Sequence, residues 1–139
     1  MTLDRISSKR VLVRFDFNVP MKNGTIVNDF RIRQSLETIK QLLENDNKII
    51  IVSHLGRPTE GVYDESLSLK PICKHLSEFL NTKIKFFSSY KDDIKFEDYK
   101  IAMLENVRFN SGEKSCDSNL SKAYASLANH FVFDAFGVS

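Results

Sequence analysis

The stretch that best indicates the fold is IIIVSHLGRP, from Ile49 to Pro58. Its run of β-branched residues is typical of a strand that is buried on both faces of a parallel sheet. His54, Gly56 and Arg57 follow the strand directly, before the proline. Because a turn needs only glycine and proline, the imidazole and the guanidinium require another explanation, such as a ligand bound just beyond the strand.

Four other short apolar runs resemble this strand, and helical patterns separate most of them. The runs are rich in β-branched and aromatic residues, which are common in buried strands. Together the runs predict five strands: Arg10–Phe15, Lys48–Ser53, Lys83–Phe87, Ile101–Glu105 and His130–Phe136.

Three segments repeat apolar residues at every third or fourth position, as amphipathic helices do. The predicted helices contain Ile32 to Leu43, with Asn28 or Asp29 as cap; Leu69 to Leu80, with Ser68 as cap and Pro71 in the first turn; and Leu120 to Ala128. Residues 88–99 fit either a short helix or a loop. The alternation predicts a three-layer α/β/α, Rossmann-like domain with a mostly parallel sheet of five or six strands and helices on both faces.

Composition limits the class of protein. The chain has 139 residues, 42% hydrophobic and 27% charged, which suits one soluble globular domain. A net charge of +2 gives no indication of nucleic-acid binding, and no apolar stretch is long enough for a membrane span or a signal peptide. Two cysteines without ligand spacing favour a reducing cytosol, with Cys73 in the core.

Polar residues follow four of the predicted strands. The carboxyl ends of parallel strands lie at one edge of the sheet, where ligands bind. Arg31 adds a guanidinium near the start of the first helix, where the helix dipole also favours an anion. The pattern therefore predicts a site for a small, multiply charged anion, formed by these strand-end residues: Asp16, Asn18, His54, Arg57, Asn106, Arg108 and Asp134.

Each of these residues also has a simpler interpretation when it is taken alone. His54 suits a turn, Arg31 suits a solvent-facing position, and Asp16 suits an Asx turn before the proline. His75 and His130 show no partner pattern, which favours structural or surface roles. The sequence also contains no phosphate-loop, dinucleotide or zinc motif, so only the coincidence of four segments favours a binding site.

Four motifs carry a family resemblance: VLVRFDFNVP, SHLGRP, LENVRF and FDAFG. In order and spacing they resemble the N-terminal domain of phosphoglycerate kinases, over a match from about Lys9 to Ser139. The resemblance implies a cytoplasmic glycolytic kinase, a transferase that moves a phosphoryl group between 1,3-bisphosphoglycerate and ADP to give 3-phosphoglycerate and ATP. Residues 1–139 would form its 3-phosphoglycerate-binding domain, incomplete at the C-terminal end and without the nucleotide-binding domain.

The resemblance also implies roles for individual residues. Arg31 would lie nearest the transferred phosphoryl group and act as the catalytic residue. The substrate-binding set would be Asp16, Phe17, Asn18, Arg31, His54, Leu55, Gly56, Arg57 and Arg108, with no metal ligand. Mg²⁺ and ATP or ADP would bind the missing domain, so no cofactor is expected on this chain. No nucleic-acid or membrane partner is implied, and the full-length enzyme would be monomeric, whereas this chain could self-associate through an uncovered sheet face.

Two departures from the family pattern stand out. Phe133 occupies a position where the family commonly has asparagine, and the chain ends at Ser139, before a His-Arg pair whose arginine is a further substrate ligand in the family. We expect the chain alone to be inactive. Two alternatives remain open: a free-standing anion-binding module without enzymatic activity, and a truncated product that no longer binds substrate.

Overall fold

The computed structural model describes residues 9–15, 17, 21–22, 25–26, 28–56, 62–89, 94–106 and 126–134. Within them the regular elements follow closely the order that the apolar runs predict. In chain order they are β1 (Arg10–Phe15), β2 (Met21–Lys22), β3 (Thr25–Ile26), α1 (Phe30–Glu44), β4 (Lys48–Val52), a 3-10 turn (Glu65–Leu67), α2 (Lys70–Leu80), β5 (Ile84–Phe87), β6 (Ile101–Leu104) and β7 (His130–Asp134).

The main sheet has five strands in the order β5-β6-β4-β1-β7, and each of its four pairings is parallel. Val13 is level with Ile51, and Ile51 is level with Met103, so the same face of neighbouring strands is apolar. The small β2–β3 hairpin pairs antiparallel outside this sheet. Residues 23–24, which join its two strands, lie outside the described residues.

Both described helices pack on one face of the sheet. The buried sides of α1 and α2, such as Ile39 and Leu76, join Val11, Val13 and Ile51 in the larger core cluster. Cys73 belongs to the same cluster, and burial raises the pKa of its thiol to about 11. Its predicted place in the core is therefore confirmed.

The opposite face of the sheet is covered differently in the described residues. Leu12, Ile50 and Leu104 pack there against Ile94, Phe96 and Tyr99, which come from residues 94–99, a described stretch with irregular structure. The predicted third helix falls mainly outside the described residues. Its last two predicted members, Leu127 and Ala128, lie in and just after a turn, so the extension of that helix to Ala128 was wrong.

The helix caps differ in detail from the sequence prediction. Before α1, Asn28 accepts a hydrogen bond from the Phe30 amide, whereas Asp29 occupies the N-cap position without capping through its side chain. The N-cap of α2 is Leu69 rather than Ser68, although Pro71 does lie in the first turn. Ser68 still contributes to the helix start, because its hydroxyl oxygen accepts from the Lys70 amide at 3.2 Å while its O–H donates to the carboxylate of Glu105.

The parallel sheet and its crossover helices make the domain α/β and Rossmann-like, as predicted. In the described part of the chain, neither helix has the length and apolar character needed to cross a bilayer.

Candidate functional site

Three described segments leave the sheet at its carboxyl edge, which we define as residue 17 after β1, residues 53–56 after β4 and residues 105–106 after β6. The strand register places Arg14 level with Val52 and Ile51 level with Met103. The three segments therefore begin at the same level of the sheet, as expected for residues that follow neighbouring parallel strands.

The segment after β1 is attached to the segment after β4. The Phe17 amide donates to Ser53 Oγ at 2.9 Å, and both residues are fully buried. The Phe17 ring stacks on Phe15, with 5.2 Å between ring centroids. This buried bond fixes Phe17, whose sequence neighbours Asp16 and Asn18 lie outside the described residues.

The segment after β4 packs closely against the 3-10 turn. His54 is half-buried and Leu55 is buried. Gly56 has a left-handed φ of +64°, and a Cβ there would lie 2.6 Å from Leu67 Cδ2. Glycine is suited to this position because it adopts positive φ at little cost and leaves room for Leu67.

The segment after β6 contains two buried polar residues that hold the others. Asn106 Nδ2 donates to the Leu55 carbonyl at 2.8 Å and to the Leu67 carbonyl at 2.9 Å. The Glu105 carboxylate accepts from Ser68 Oγ at 2.6 Å, from the Leu69 amide at 2.8 Å and from the Asn106 amide at 2.9 Å. A carboxylate at the start of α2 is also favoured by the helix dipole.

Sequence reasoning assigned Glu105 to the end of a strand and missed its role in holding α2. The available signal was an acidic residue directly after the four apolar residues of β6. Because a buried carboxylate requires hydrogen-bond partners, that position called for donors nearby. The sequence did not show that Ser68 and Leu69 supply them from a segment 37 and 36 residues away.

Arg31 lies in the first turn of α1, with its side chain exposed. The start of this helix is joined to α2 through Asp29, whose carboxylate lies 2.9 Å from Arg33 Nε and 3.0 Å from His75 Nε2. The hydrogen bond from His75 and the nearby Arg33 lower the pKa of Asp29. His75 thus has a structural role, as predicted, although its partner was not visible in the sequence.

The structure therefore gathers part of the predicted site. Phe17, His54, Leu55 and Gly56 lie in the attached segments, whereas Asp16, Asn18, Arg57, Arg108 and the side chain of Asp134 are outside the described residues. The side chains of Phe17 and Leu55 are in the core, so these two residues could offer a ligand only backbone groups.

A separate open groove of about 760 Å³ runs beside α2. Tyr63, Lys70, Lys74 and Glu78 are among its lining residues, and no described member of the predicted site is. In the described part of the chain, no three His, Cys, Asp or Glu side chains are grouped as they would be around a metal ion.

Comparison with known proteins identifies the family. A family model for phosphoglycerate kinase matches residues 2–139. A phosphoglycerate kinase of Francisella tularensis subsp. novicida is 47% identical over 134 residues, which are 96% of this chain and 34% of that protein. The same identity and coverage hold for the enzyme of Francisella tularensis subsp. tularensis.

Solved structures give the same answer. Phosphoglycerate kinase from Coxiella burnetii superposes with a TM-score of 0.88 at 41% identity, covering 96% of this chain and 34% of that one. The enzyme from Pyrococcus horikoshii OT3 superposes with a TM-score of 0.79 at 30% identity, covering 93% of this chain and 34% of that one. The chain spans about a third of the length of these relatives. The motif resemblance is confirmed, and the chain belongs to the phosphoglycerate kinase family.

Proposed function

We propose that this chain is the triose-binding part of a kinase that transfers a phosphoryl group between 1,3-bisphosphoglycerate and ADP, giving 3-phosphoglycerate and ATP. One observation carries the proposal beyond family membership. The segments after β1, β4 and β6 are attached to one another by buried hydrogen bonds, from Phe17 to Ser53 and from Asn106 to Leu55. Such attachment supports a single anion site built from residues of all three segments.

In this proposal the arginines bind the two anionic ends of the triose. The guanidinium groups of Arg57 and Arg108 offer paired N–H donors that match phosphate or carboxylate oxygens. Asp16 accepts a hydrogen bond from a substrate hydroxyl, and His54 adds a further donor. Arg31 stabilises the charge that develops on the transferred phosphoryl group. The protein contributes positioning and charge stabilisation rather than covalent chemistry.

The described residues give no indication of a nucleotide or Mg²⁺ site. Magnesium prefers carboxylate and other oxygen ligands, and the described residues group no such set. The sequence also has no G-x-x-x-x-G-K-[ST] phosphate loop. We therefore assign residues 1–139 to the N-terminal, 3-phosphoglycerate-binding domain, and we assign nucleotide and metal binding to a domain outside this chain.

Calorimetric titration with 3-phosphoglycerate tests the binding site. We expect saturable binding at low ionic strength, and weaker binding of inorganic phosphate, because phosphate lacks the carboxylate that the second anionic contact requires. Equal affinity for the two ligands would favour the alternative of a general anion-binding module. Absence of binding at millimolar ligand would overturn the proposal and favour a chain that no longer binds substrate.

A coupled assay with 1,3-bisphosphoglycerate and Mg-ADP tests whether this chain is sufficient for catalysis. We expect background rates, because holding both reactants in line contributes about 7–11 kcal/mol that a half-site cannot supply. Addition of the separately produced C-terminal part of a family member should restore some activity. ATP formation that rises in proportion to the concentration of this chain alone would contradict the assignment of the nucleotide to another domain.

The proposal extends to location and assembly. Glycolytic chemistry and the two cysteines without ligand spacing favour the cytoplasm. We expect the complete enzyme to be a monomer. Self-association of this chain would require an apolar sheet face left uncovered.

A further inference from the structure

Beyond the residues that would touch substrate, Asn106 occupies an unusual position. It is 1% exposed, and its side-chain amide has two N–H donors. One bond runs from Nδ2 to the Leu55 carbonyl at 2.8 Å, and the other runs to the Leu67 carbonyl at 2.9 Å. A single side chain from the segment after β6 therefore holds both the segment after β4 and the entry to α2.

The two carbonyls that Asn106 binds belong to segments already in contact. Gly56, next to Leu55, packs so closely on Leu67 that a Cβ would lie 2.6 Å from Leu67 Cδ2. The two bonds from Asn106 therefore fix the position of the Leu55 carbonyl relative to the Leu67 carbonyl. The close approach of Gly56 to Leu67 limits the distance between the two segments. Together these contacts leave the main chain from 54 to 56 little freedom to shift relative to α2.

Asn106 is itself held in place by its neighbour. The Glu105 carboxylate is buried and accepts from the Asn106 amide, and its other two bonds go to Ser68 and Leu69 at the start of α2. The backbone of Asn106 is therefore tied to the same helix entry that its side chain contacts. We call Glu105 and Asn106 the clasp.

The clasp lies close in sequence to two arginines of the proposed site. Arg57 follows Leu55 by two residues, and Arg108 follows Asn106 by two. Functional side chains are held to productive geometry by supporting hydrogen bonds behind them, and a displacement of about 1 Å can cost roughly 100-fold in function.

We propose that Asn106 is a positioning residue for the substrate site: by holding the Leu55 and Leu67 carbonyls, it sets residues 54–56, which precede Arg57 in the sequence, relative to residues 105–106, which precede Arg108. This inference rests on the proposed binding of 3-phosphoglycerate. It assigns Asn106 no contact with substrate, so its effect must reach the ligand through the two segments that it joins.

The test compares Asn106→Ala with a matched control at the amino edge of the sheet, which we define as the residues that directly precede the strands: Lys9, Asn47, Lys83, Lys100 and Asn129. Asn47 is also fully buried; it donates to the Leu42 carbonyl and accepts from the Lys9 amide. Asn47→Ala therefore removes a similar pair of buried bonds far from the proposed site. Both variants should unfold at lower temperature than the unsubstituted chain.

Binding of 3-phosphoglycerate is then measured by calorimetry at a temperature where circular dichroism shows both variants folded. We expect Kd to rise about tenfold or more in Asn106→Ala and to stay unchanged in Asn47→Ala. If Asn106→Ala does not fold, Asn106→Ser replaces it. Its hydroxyl can donate to only one of the two carbonyls, so Kd should again rise.

Three results would overturn the inference, and they are distinguishable. An unchanged Kd in a folded Asn106 variant shows that the clasp does not position the site. An equal rise in Kd for both asparagine variants shows general loosening of the fold. If the unsubstituted chain fails to bind, the proposed function itself is wrong, and the positioning role falls with it.

Discussion

The two edges of the sheet differ in how much main-chain and side-chain hydrogen bonds contribute to joining their segments. At the amino edge, main-chain bonds join the segments: Lys48 donates to the Lys9 carbonyl, Ile49 to that of Lys100, and Asn129 to that of Arg10. The side chains of Asn47 and Asn129 add one bond each there, because they accept from the amides of Lys9 and Arg10. At the carboxyl edge, the bonds between the segments after β1, β4 and β6 come from the side chains of Ser53 and Asn106. Glu105 also attaches the start of α2 to this edge, because its carboxylate accepts from the Leu69 amide.

The difference lies in how far each edge depends on particular side chains. Main-chain bonds form whatever the side chains are, so the amino edge depends on particular residues only where Asn47 and Asn129 add their side-chain bonds. Side-chain bonds exist only with particular residues, so the carboxyl edge has a geometry that depends on Ser53, Glu105 and Asn106. The side-chain bonds at the carboxyl edge are the feature that supports the proposed substrate site there.

The largest expected effect of this difference concerns two arginines. Arg57→Ala should weaken 3-phosphoglycerate binding by about 1.5–3 kcal/mol, the scale of a hydrogen bond to a charged group, which is roughly 10–150-fold in Kd. Arg10→Ala is the control, because Arg10 begins β1 at the opposite end of the sheet and its guanidinium lies over the Phe96 ring at 4.9 Å. Calorimetric titration of both variants measures the contrast. Unchanged affinity in Arg57→Ala would mean that this guanidinium is structural.

A smaller effect is expected at two left-handed positions. Gly56 has φ +64° at the carboxyl edge, and Asn81 has φ 49° after α2, near the amino edge. Alanine in this conformation is disfavoured by about 1–2 kcal/mol, so Gly56→Ala and Asn81→Ala should both lower the free energy of unfolding in urea. Gly56→Ala alone should also weaken 3-phosphoglycerate binding, because the new methyl group displaces Leu67. If both variants bind like the unsubstituted chain, the Gly56–Leu67 contact does not shape the site.

The smallest effect is expected in the acid range. The pKa of Asp29 is lowered chiefly by its hydrogen bond with His75, and the pKa of Asp98 is lowered chiefly by its hydrogen bond with Lys83. A lowered carboxyl pKa stabilises the fold above the ordinary value of 3.8, and this contribution is lost as pH falls through the lower folded value. Because Asp98 is exposed and Asp29 is only half-buried, solvent screens both ion pairs and the change in stability should be slight.

Carboxyl-detected NMR titration resolves the two sites separately. His75→Leu should raise the pKa of Asp29 and leave that of Asp98 unchanged. Lys83→Met should raise the pKa of Asp98 and leave that of Asp29 unchanged. A pKa of Asp29 that does not respond to His75→Leu would show that the bond between α1 and α2 does not persist in solution.

Much of the fold was predictable because strands and helices are encoded locally. The runs RVLVRF and KIIIV have the composition of buried strands, and the structure forms β1 and β4 there. The spacing of Ile32, Leu36 and Ile39 likewise predicted α1. At the start of α2 the prediction was off by one residue: Leu69 occupies the N-cap position, although Ser68 accepts from the Lys70 amide.

The candidate site was predictable only in part. The order of strand-end residues such as His54 and Asn106 could be read directly, because parallel strands place their carboxyl ends at one edge. The hydrogen bonds that join the segments at that edge could not be predicted from the sequence. A bond such as that from Asn106 to Leu55 joins residues 51 positions apart, and no local pattern specifies which carbonyl an asparagine will meet.

By itself, the sequence determined the strands, the two described helices, the family and the residue types at the carboxyl edge, because periodicity and motif spacing are properties of the chain. Only the tertiary structure decided the strand order β5-β6-β4-β1-β7, the pairing of Asp29 with His75 and the bonds that Asn106 makes. Those features depend on which buried polar groups become neighbours once the crossovers have packed. Since a buried donor or acceptor must find a partner, packing selects partners that sequence distance does not reveal.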